Sequence, residues 1–372
     1  MPVGKPIPLV QLLEDGEHAM RVCNACRYCE GFCAVFPAME RRLSFSPADL
    51  KYLANLCHDC RECLYSCQYA PPHEFGLNLP KVMAGLRRES YREFAWPASV
   101  VRLLGETRSV AALSLVASPV LFFLGALALA GPEAMFKAHS VGEGSFYRIF
   151  PHGAMVGAFS FVGLFVLLAF AMGFRNFWRA TGGAAGSWLD RPAILGALRD
   201  ALSLRYLGGD GEGCAYPDER ASTIRRWFHH LTFYGFSLCF ASTTTAAIYH
   251  NFLGWNAPYP FLSLPVLLGT AGGLGLVAGP LGLLYLKSIR DPEPSDPAQS
   301  RMDVSFLVLL LLTSVSGLLL LALRETAAMG VILAVHLGLV MGLFLTMPYG
   351  KFVHGIYRFG ALIRFAKEER NS

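Results

Sequence analysis

The sequence predicts an N-terminal α-helical domain organised around cysteine, followed by an all-α bundle of six membrane-spanning helices. Three observations predict it. Eight of the ten cysteines lie between Cys23 and Cys67, in two copies of one spacing. Six apolar stretches follow, each long enough to cross a bilayer and each free of Asp, Glu, Lys and Arg. Between those stretches, Lys and Arg gather on alternate connections.

Composition sets the class. The 372 residues are 53% hydrophobic and 16% charged, with a mean hydropathy of +0.41. Hydropathy that high with charge that low belongs to membrane proteins. A net charge of +5 is too mild for a nucleic-acid binder, and the basic residues sit beside apolar segments instead. Leu9–Leu13 is short and is followed by Glu14 and Asp15, so no export signal is read there. The cysteine domain is therefore expected in the reducing cytoplasm, where thiolates persist.

The cysteines read Cys23-x2-Cys26-x2-Cys29-x3-Cys33, then 23 residues, then Cys57-x2-Cys60-x2-Cys63-x3-Cys67. Zinc uses paired Cys-x2-Cys, not runs of four. Two such runs are the spacing of a ferredoxin-like domain holding two [4Fe–4S] clusters, in which the fourth cysteine of each run reaches the other cube. By that rule Cys23, Cys26, Cys29 and Cys67 form one ligand set, and Cys57, Cys60, Cys63 and Cys33 the other. The Pro that often follows the fourth cysteine is absent; Ala34 and Gln68 stand there, with Pro37 and Pro71 three residues later. Cys214 and Cys239 are read as structural thiols.

Residues 1–80 form the cluster domain. Clusters are expected to supply much of the folding energy of so small a unit. In 81–107, Lys81, Arg87, Arg88, Arg92 and Arg102 alternate with Tyr91, Phe94 and Trp96, which reads as an amphipathic linker at the membrane surface. The membrane domain runs over 108–360 and a cytoplasmic tail over 361–372. The spans are Val110–Ala130, Pro151–Phe174, Phe228–Phe252, Phe261–Leu286, Val304–Leu323 and Ala327–Tyr349, each long enough for a core of about 30 Å. With the N-terminus inside, inner connections hold 22 Lys and Arg and outer ones 3. That bias predicts a multi-pass protein of the cytoplasmic (inner) membrane with both termini cytoplasmic. The fourth span carries Gly269, Gly272, Gly273, Gly275, Gly279 and Gly282. Such residues let helices pack closely in lipid and would also admit the edge of a flat macrocycle. The inner loop 175–227 is expected to cap the cytoplasmic face or meet a partner.

Six histidines lie in or at the ends of spans, where the residue is costly and usually functional. His229, His230 and His354 form an inner layer; His152, His250 and His336 form an outer one. His336 and His354 are 18 residues apart, five turns of one helix and about 27 Å. His229 and His250, 21 apart, fall within about 60° of each other, whereas His230 and His250 are about 160° apart. Imidazoles paired across helices in two layers suit two bis-histidine b-type haems. The inner pair is His354 with His229 or His230; the outer is His336 with His250 or His152. His18, His58, His73 and His139 are read as ordinary polar residues.

The segments Cys26-Arg-Tyr-Cys-Glu-Gly-Phe-Cys33 with Ala-Val-Phe-Pro37, and Cys67-Gln-Tyr-Ala-Pro-Pro-His-Glu74, resemble the tricarballylate utilisation protein B family, also known as citrate utilisation protein B. The likeness continues through Tyr91-Arg-Glu-Phe-Ala-Trp-Pro97, His229-His-Leu-Thr-Phe-Tyr234 and Pro348-Tyr-Gly-Lys-Phe-Val-His354, so it covers nearly the whole chain. The resemblance implies a membrane protein with two [4Fe–4S] clusters and haem. It implies that such a protein reoxidises an FAD-dependent partner, a tricarballylate dehydrogenase, and passes electrons to the quinone pool. The 18-residue histidine spacing is also similar, more loosely, to the haem-binding gamma subunit of respiratory nitrate reductase.

Two functional readings follow. In the first, a soluble flavoenzyme docks on residues 1–107 and electrons pass through clusters and haem to quinone. No nucleotide-binding loop or catalytic acid–base pair is seen, so substrate chemistry is left to the partner. In the second, the chain is a redox-responsive membrane sensor or a transporter. Inverted repeats and midplane polar residues, expected of a transporter, are not seen.

Overall fold

The computed structural model describes residues 7–104, 107–139, 144–182, 187–209 and 211–371. Among the described residues, regular structure is helical apart from one short antiparallel pair, β1 (Cys214–Ala215) and β2 (Ala221–Ser222).

Five helices build the cysteine domain: α1 (Leu9–Cys26), α2 (Val35–Glu40), α3 (Pro47–Leu56), α4 (Glu62–Tyr65) and α5 (Leu79–Phe94). α1 stops where Arg27 turns left-handed (φ 56°) and its amide closes on Cys23 O. α3 begins with a reciprocal cap: Ser46 accepts from Asp49 N, Asp49 accepts from Ser46 N, and Pro47 takes the first helical position. Leu12, Met20, Leu50, Leu53, Met83 and Leu86 are buried where α1, α3 and α5 meet.

The helix α5 corrects the expected boundary. It is a core element of the cysteine domain, with Val82, Met83, Leu86, Tyr91 and Phe94 buried, so the linker expected over 81–107 begins only after Phe94. Two of the basic residues that suggested a membrane surface, Arg87 and Arg88, point inward, whereas Arg92 and Arg102 are exposed. Arg87 donates to the carbonyls of Ala54 (3.1 Å) and Cys57 (2.7 Å), and Arg88 pairs with Asp296 at 3.4 Å. Carbonyls at the C-terminal end of α3 give the guanidinium the partners that burial demands.

All six expected spans are present, as Thr107–Phe136, His152–Thr181, Ile224–Leu253, Leu264–Ile289, Pro297–Leu323 and Met329–Tyr349. By length and composition they make this a membrane protein. The first kinks at Gly131 (φ 77°), just before Pro132. The third and fourth spans lie in close contact along the glycine stripe. A Cβ at Gly272 would meet Cys239 N at 2.8 Å, and one at Gly279 would meet Thr232 N at 2.7 Å. The third span therefore occupies the face that a macrocycle edge was expected to use; packing is what those glycines serve.

After Tyr349 the chain breaks, with Gly350 extended, and a new helix runs from His354 to Asn371. His336 and His354 consequently do not share one helix, and the five-turn phase relation expected between them does not hold. Of the residues 361–372 expected as a tail, 361–371 belong to this packed helix and Ser372 lies outside the described residues. Leu362, Ile363 and Phe365 are buried, and Arg364 with Glu368 joins Arg42 and Asp49 in an ion network at 2.6–3.4 Å. Buried apolar positions and the partners of Arg364 and Glu368 turn the expected tail into structure.

Candidate metal centres

The last turn of α1 carries Cys23 and Cys26, and the left-handed Arg27 leads the chain into the turn bearing Cys29 and Cys33. Cys57 caps the end of α3. Between it and α4 both Asp59 (φ 57°) and Arg61 (φ 70°) are left-handed, a conformation costing about 1–2 kcal/mol per residue. This tight loop presents Cys57, Cys60 and Cys63 together. It is held from outside: the Arg61 side chain, 1% exposed, donates to Asp291 O (3.0 Å) and Ser295 Oγ (2.7 Å) and lies 4.6 Å from the centre of the Tyr216 ring.

The thiols sort into two neighbourhoods. Burial, then the charges of Cys67, Cys29 and Cys26, push the pKa of Cys23 up to about 12. Burial, then Cys67 and Cys26, do the same for Cys29. Cys33 is pushed up to about 12 by burial and then by Cys57. Cys60 and Cys63 are raised well above the usual thiol range by burial, with Cys33 and Cys57 adding to it in both. Cys23, Cys26, Cys29 and Cys67 thus neighbour one another, Cys33 and Cys57 neighbour Cys60 and Cys63, and Cys29 lies near both sets. The first four line a cavity of about 280 Å³, on whose wall Cys63 also lies, so the two groups adjoin.

Thiols that repel one another as thiolates are relieved by metal, which binds the deprotonated form and releases the proton. Among the described residues no three His, Cys, Asp or Glu side chains converge on one ion. Thiols spread around a cavity suit a polynuclear cluster, where several irons share the ligands, rather than a single zinc. Asp59 N donates to Cys57 Sγ at 3.4 Å and Gln68 Nε2 to Cys26 Sγ at 3.8 Å; such bonds adjust cluster potential.

The two groups face different ways. Tyr28, beside the first, is 69% exposed. The second lies against the membrane domain. Arg358 donates to Cys57 O (2.8 Å), Arg225 to Asp59 O and His58 O, and Tyr65 to Asp291 Oδ2 (2.9 Å). Cys214, expected to be a plain structural thiol, packs in the cluster that contains Cys60 and donates to Leu207 O at 2.8 Å. The loop 187–227 therefore covers the second group.

The histidines fall at both ends of the bundle. On the cysteine side, the ring centres of His229 and His354 are 6.3 Å apart. An imidazole nitrogen sits roughly 2 Å from a first-row metal, so two rings astride one iron have centres on the order of 6 Å apart. His354 donates Nδ1–H to Lys351 O (2.7 Å), which leaves Nε2 as a ligand atom. Burial, then Lys351, Arg358 and His229, hold its pKa well below the usual range, so the ring is neutral. His229 keeps a buried Nδ1 without a hydrogen-bond partner. His230 turns away and stacks on Tyr234.

The outer pairing expected from the sequence does not form. His336 meets Ser316 Oγ at 3.0 Å, while His152 and His250 stack on each other with centres 3.6 Å apart, too close to flank an iron. Of the four histidines read as ordinary, His58 is buried, its ring 5.5 Å from that of Tyr206.

Sequence reading missed the buried arginines around the second group. It also missed the triad in which Asp303 pairs with Lys287 (2.8 Å) and Lys351 (2.7 Å) beneath His354. One signal was available: Arg358 follows His354 by four residues, which puts both on one helix face.

The family described as citrate utilization protein B matches residues 104–372, and its Fer4-like domain matches residues 16–93. A citrate utilization protein B from Escherichia coli is 51% identical over 356 residues, spanning 95% of this chain and 92% of that protein. The chain belongs to this family. In the citrate utilization protein B family the Fer4-like unit coincides with the cysteine domain, and it supports an iron–sulfur electron-transfer role for it. No solved structure matches the chain.

Proposed function

We propose that this chain is a membrane electron carrier. It takes electrons from a cytoplasmic flavin-dependent dehydrogenase, of the tricarballylate dehydrogenase type, and delivers them to quinone in the inner membrane. The single observation that carries this reading is the order of the sites. An exposed cysteine group adjoins a covered one, and Arg358 joins the covered one to the His229–His354 pair.

When bound, two [4Fe–4S] clusters and a b-type haem supply one-electron steps. Cys23, Cys26, Cys29 and Cys67 would hold the exposed cluster, and Cys33, Cys57, Cys60 and Cys63 the covered one. Arg87, Arg225 and Arg358 offset the negative charge of the inner ligands. His229 and His354 would hold the haem, with Lys351 O fixing the His354 tautomer. His152, His250 and His336 are not arranged to hold a second one.

Anaerobically purified protein in detergent tests the reading. Iron–sulfur and low-spin haem signals, both reduced by the flavoprotein with its substrate and both reoxidised by a water-soluble quinone, are expected. Zinc in place of iron and sulfide, or clusters that the flavoprotein leaves oxidised, would sink it.

A further inference from the structure

The loop between the second and third spans contains a 13-residue helix, Arg191–Ser203, that the metal centres do not use. Asp190 caps it, accepting from Ala193 N at 3.1 Å. Ala193 and Ala197 are buried in the core shared with Leu362 and Phe365 of the C-terminal helix. The other face is bare. Leu195 is 65% exposed and Leu198 42%, Leu202 continues the stripe, and Arg191 and Arg199 stand exposed along it. Positions 191, 195, 198, 199 and 202 form one helical face.

Both ends of this helix are tied to residues inside spans. Before it, the Trp188 ring meets Phe174 edge-on at 5.6 Å. At its end, Tyr234 OH donates to Leu202 O (2.9 Å) and Arg226 to Ser203 O (2.7 Å). Phe174 ends the apolar run of the second span, and Tyr234 lies six residues past Phe228, where that of the third begins, a depth of roughly 9 Å along the helix axis. A helix tied to both lies at the membrane boundary. Its leucines continue the exposed apolar surface of the third span, where Trp227, Leu231 and Tyr234 also stand bare.

We propose that Arg191–Ser203 is an in-plane interfacial helix. The bilayer covers its Leu195–Leu198–Leu202 face at the headgroup–acyl boundary, and Arg191 and Arg199 reach anionic headgroups. Amphipathic helices with leucine on one side and arginine beside it settle 5–10 Å into that layer. Because its alanine face packs on the C-terminal helix, which packs on α3, the helix also holds Cys57 at a fixed height above the membrane.

The test uses the full chain in vesicles, with a nitroxide amino acid encoded at Leu195 or Leu198 and a control label at Gly211, which is exposed in the same loop. Collision with dissolved oxygen should exceed collision with a water-soluble nickel complex several-fold at 195 and 198, and the order should reverse at 211. Phosphatidylglycerol in the vesicles should strengthen that preference in the native chain but not in R191Q/R199Q. If nickel reaches 195 and 198 as freely as 211, or if neither reagent reaches them because protein covers the face, the proposal fails. An equal response of native and variant chains to the anionic lipid removes the role of the arginines.

Discussion

Cys57 stands where the cysteine domain meets the membrane domain. Its carbonyl accepts from both Arg87 and Arg358, and Arg358 lies one turn from His354. A guanidinium shared between a backbone carbonyl and the neighbourhood of an imidazole fixes the separation of the two centres, because its donors leave in a rigid fork. Substitutions should therefore act on one centre at a time. Cys60→Ser removes a thiol from the covered group, so iron and acid-labile sulfide should fall from about eight of each to about four per chain. Cys67→Ser should give the same stoichiometry from the exposed group. The two losses should differ in reach. Cys67→Ser should block reduction by the flavoprotein at the first step, whereas Cys60→Ser should leave the exposed cluster reducible and the haem oxidised. Stopped-flow absorbance checks this, and identical behaviour of the two variants would contradict the order of sites. His354→Ala should abolish the low-spin haem signal while both clusters remain reducible. His336→Ala, which loses contacts with Ser316 and the Thr313 backbone, should leave that signal intact. Loss of haem in the His336 variant with retention in the His354 variant would reverse the assignment.

At the scale of elements, the third and fourth spans show how much a glycine can decide. The third span packs against the fourth, and backbone approach there leaves no space for a methyl group. At Gly272 a Cβ would lie 2.8 Å from both Cys239 N and Gly235 O. Backbone atoms cannot rotate away as a side-chain tip can, so Gly272→Ala should force the helices apart at a cost of about 1–3 kcal/mol. Gly163, on the second span, has nothing within 4 Å of its hypothetical Cβ, so Gly163→Ala should be neutral or stabilising by about 0.5–1 kcal/mol. Thermal denaturation in detergent should separate the two variants, with Gly272→Ala melting lower. Equal melting would mean that the helix pair is looser than this geometry. The contrast also tells which parts of the chain were legible in advance. Small residues along the fourth span announced close approach, but which helix takes the face depends on a partner in another part of the chain. The same holds for α5. Its Arg87 read as surface charge because the carbonyls that receive it, at Ala54 and Cys57, lie some thirty residues away. The ligand spacing of the cysteines and the run lengths of the spans are local properties, and those were readable directly. The histidine pairs were half readable. His229 and His250 lie on one unbroken helix, so their phase could be computed, whereas the break at Gly350 removes the phase relation between His336 and His354.

Across the whole molecule, the connections sort onto two sides without reference to a membrane. One side gathers the cysteine domain, the loop 187–227, the turn 290–296 and the C-terminal helix through Arg61–Asp291, Asn78–Glu293, Arg225–Asp59 and Arg358–Cys57 contacts. The other gathers the ends of spans through Gly144 N to Ala257 O (2.8 Å) and Arg324 to Tyr259 O (2.6 Å). Six crossings bring the chain back to the side it began on, which is what lets the C-terminal helix lie against α3. The charge bias predicts that the cysteine side is cytoplasmic: it carries nearly all of the Lys and Arg in the connections, and loops of that kind tend to stay inside. The prediction is a pair of reporter fusions. An alkaline phosphatase fused after Gly211 should be inactive and a fluorescent protein there bright, because both lie with the cysteine domain in the cytoplasm. The same reporters after Trp255 should give the opposite result. Reversal at both positions would put the thiols in an oxidising compartment, where disulfides would compete with iron, and the electron-carrier reading would fall with the orientation. The same result at both positions would instead break the six-span arrangement, since the third span lies between them.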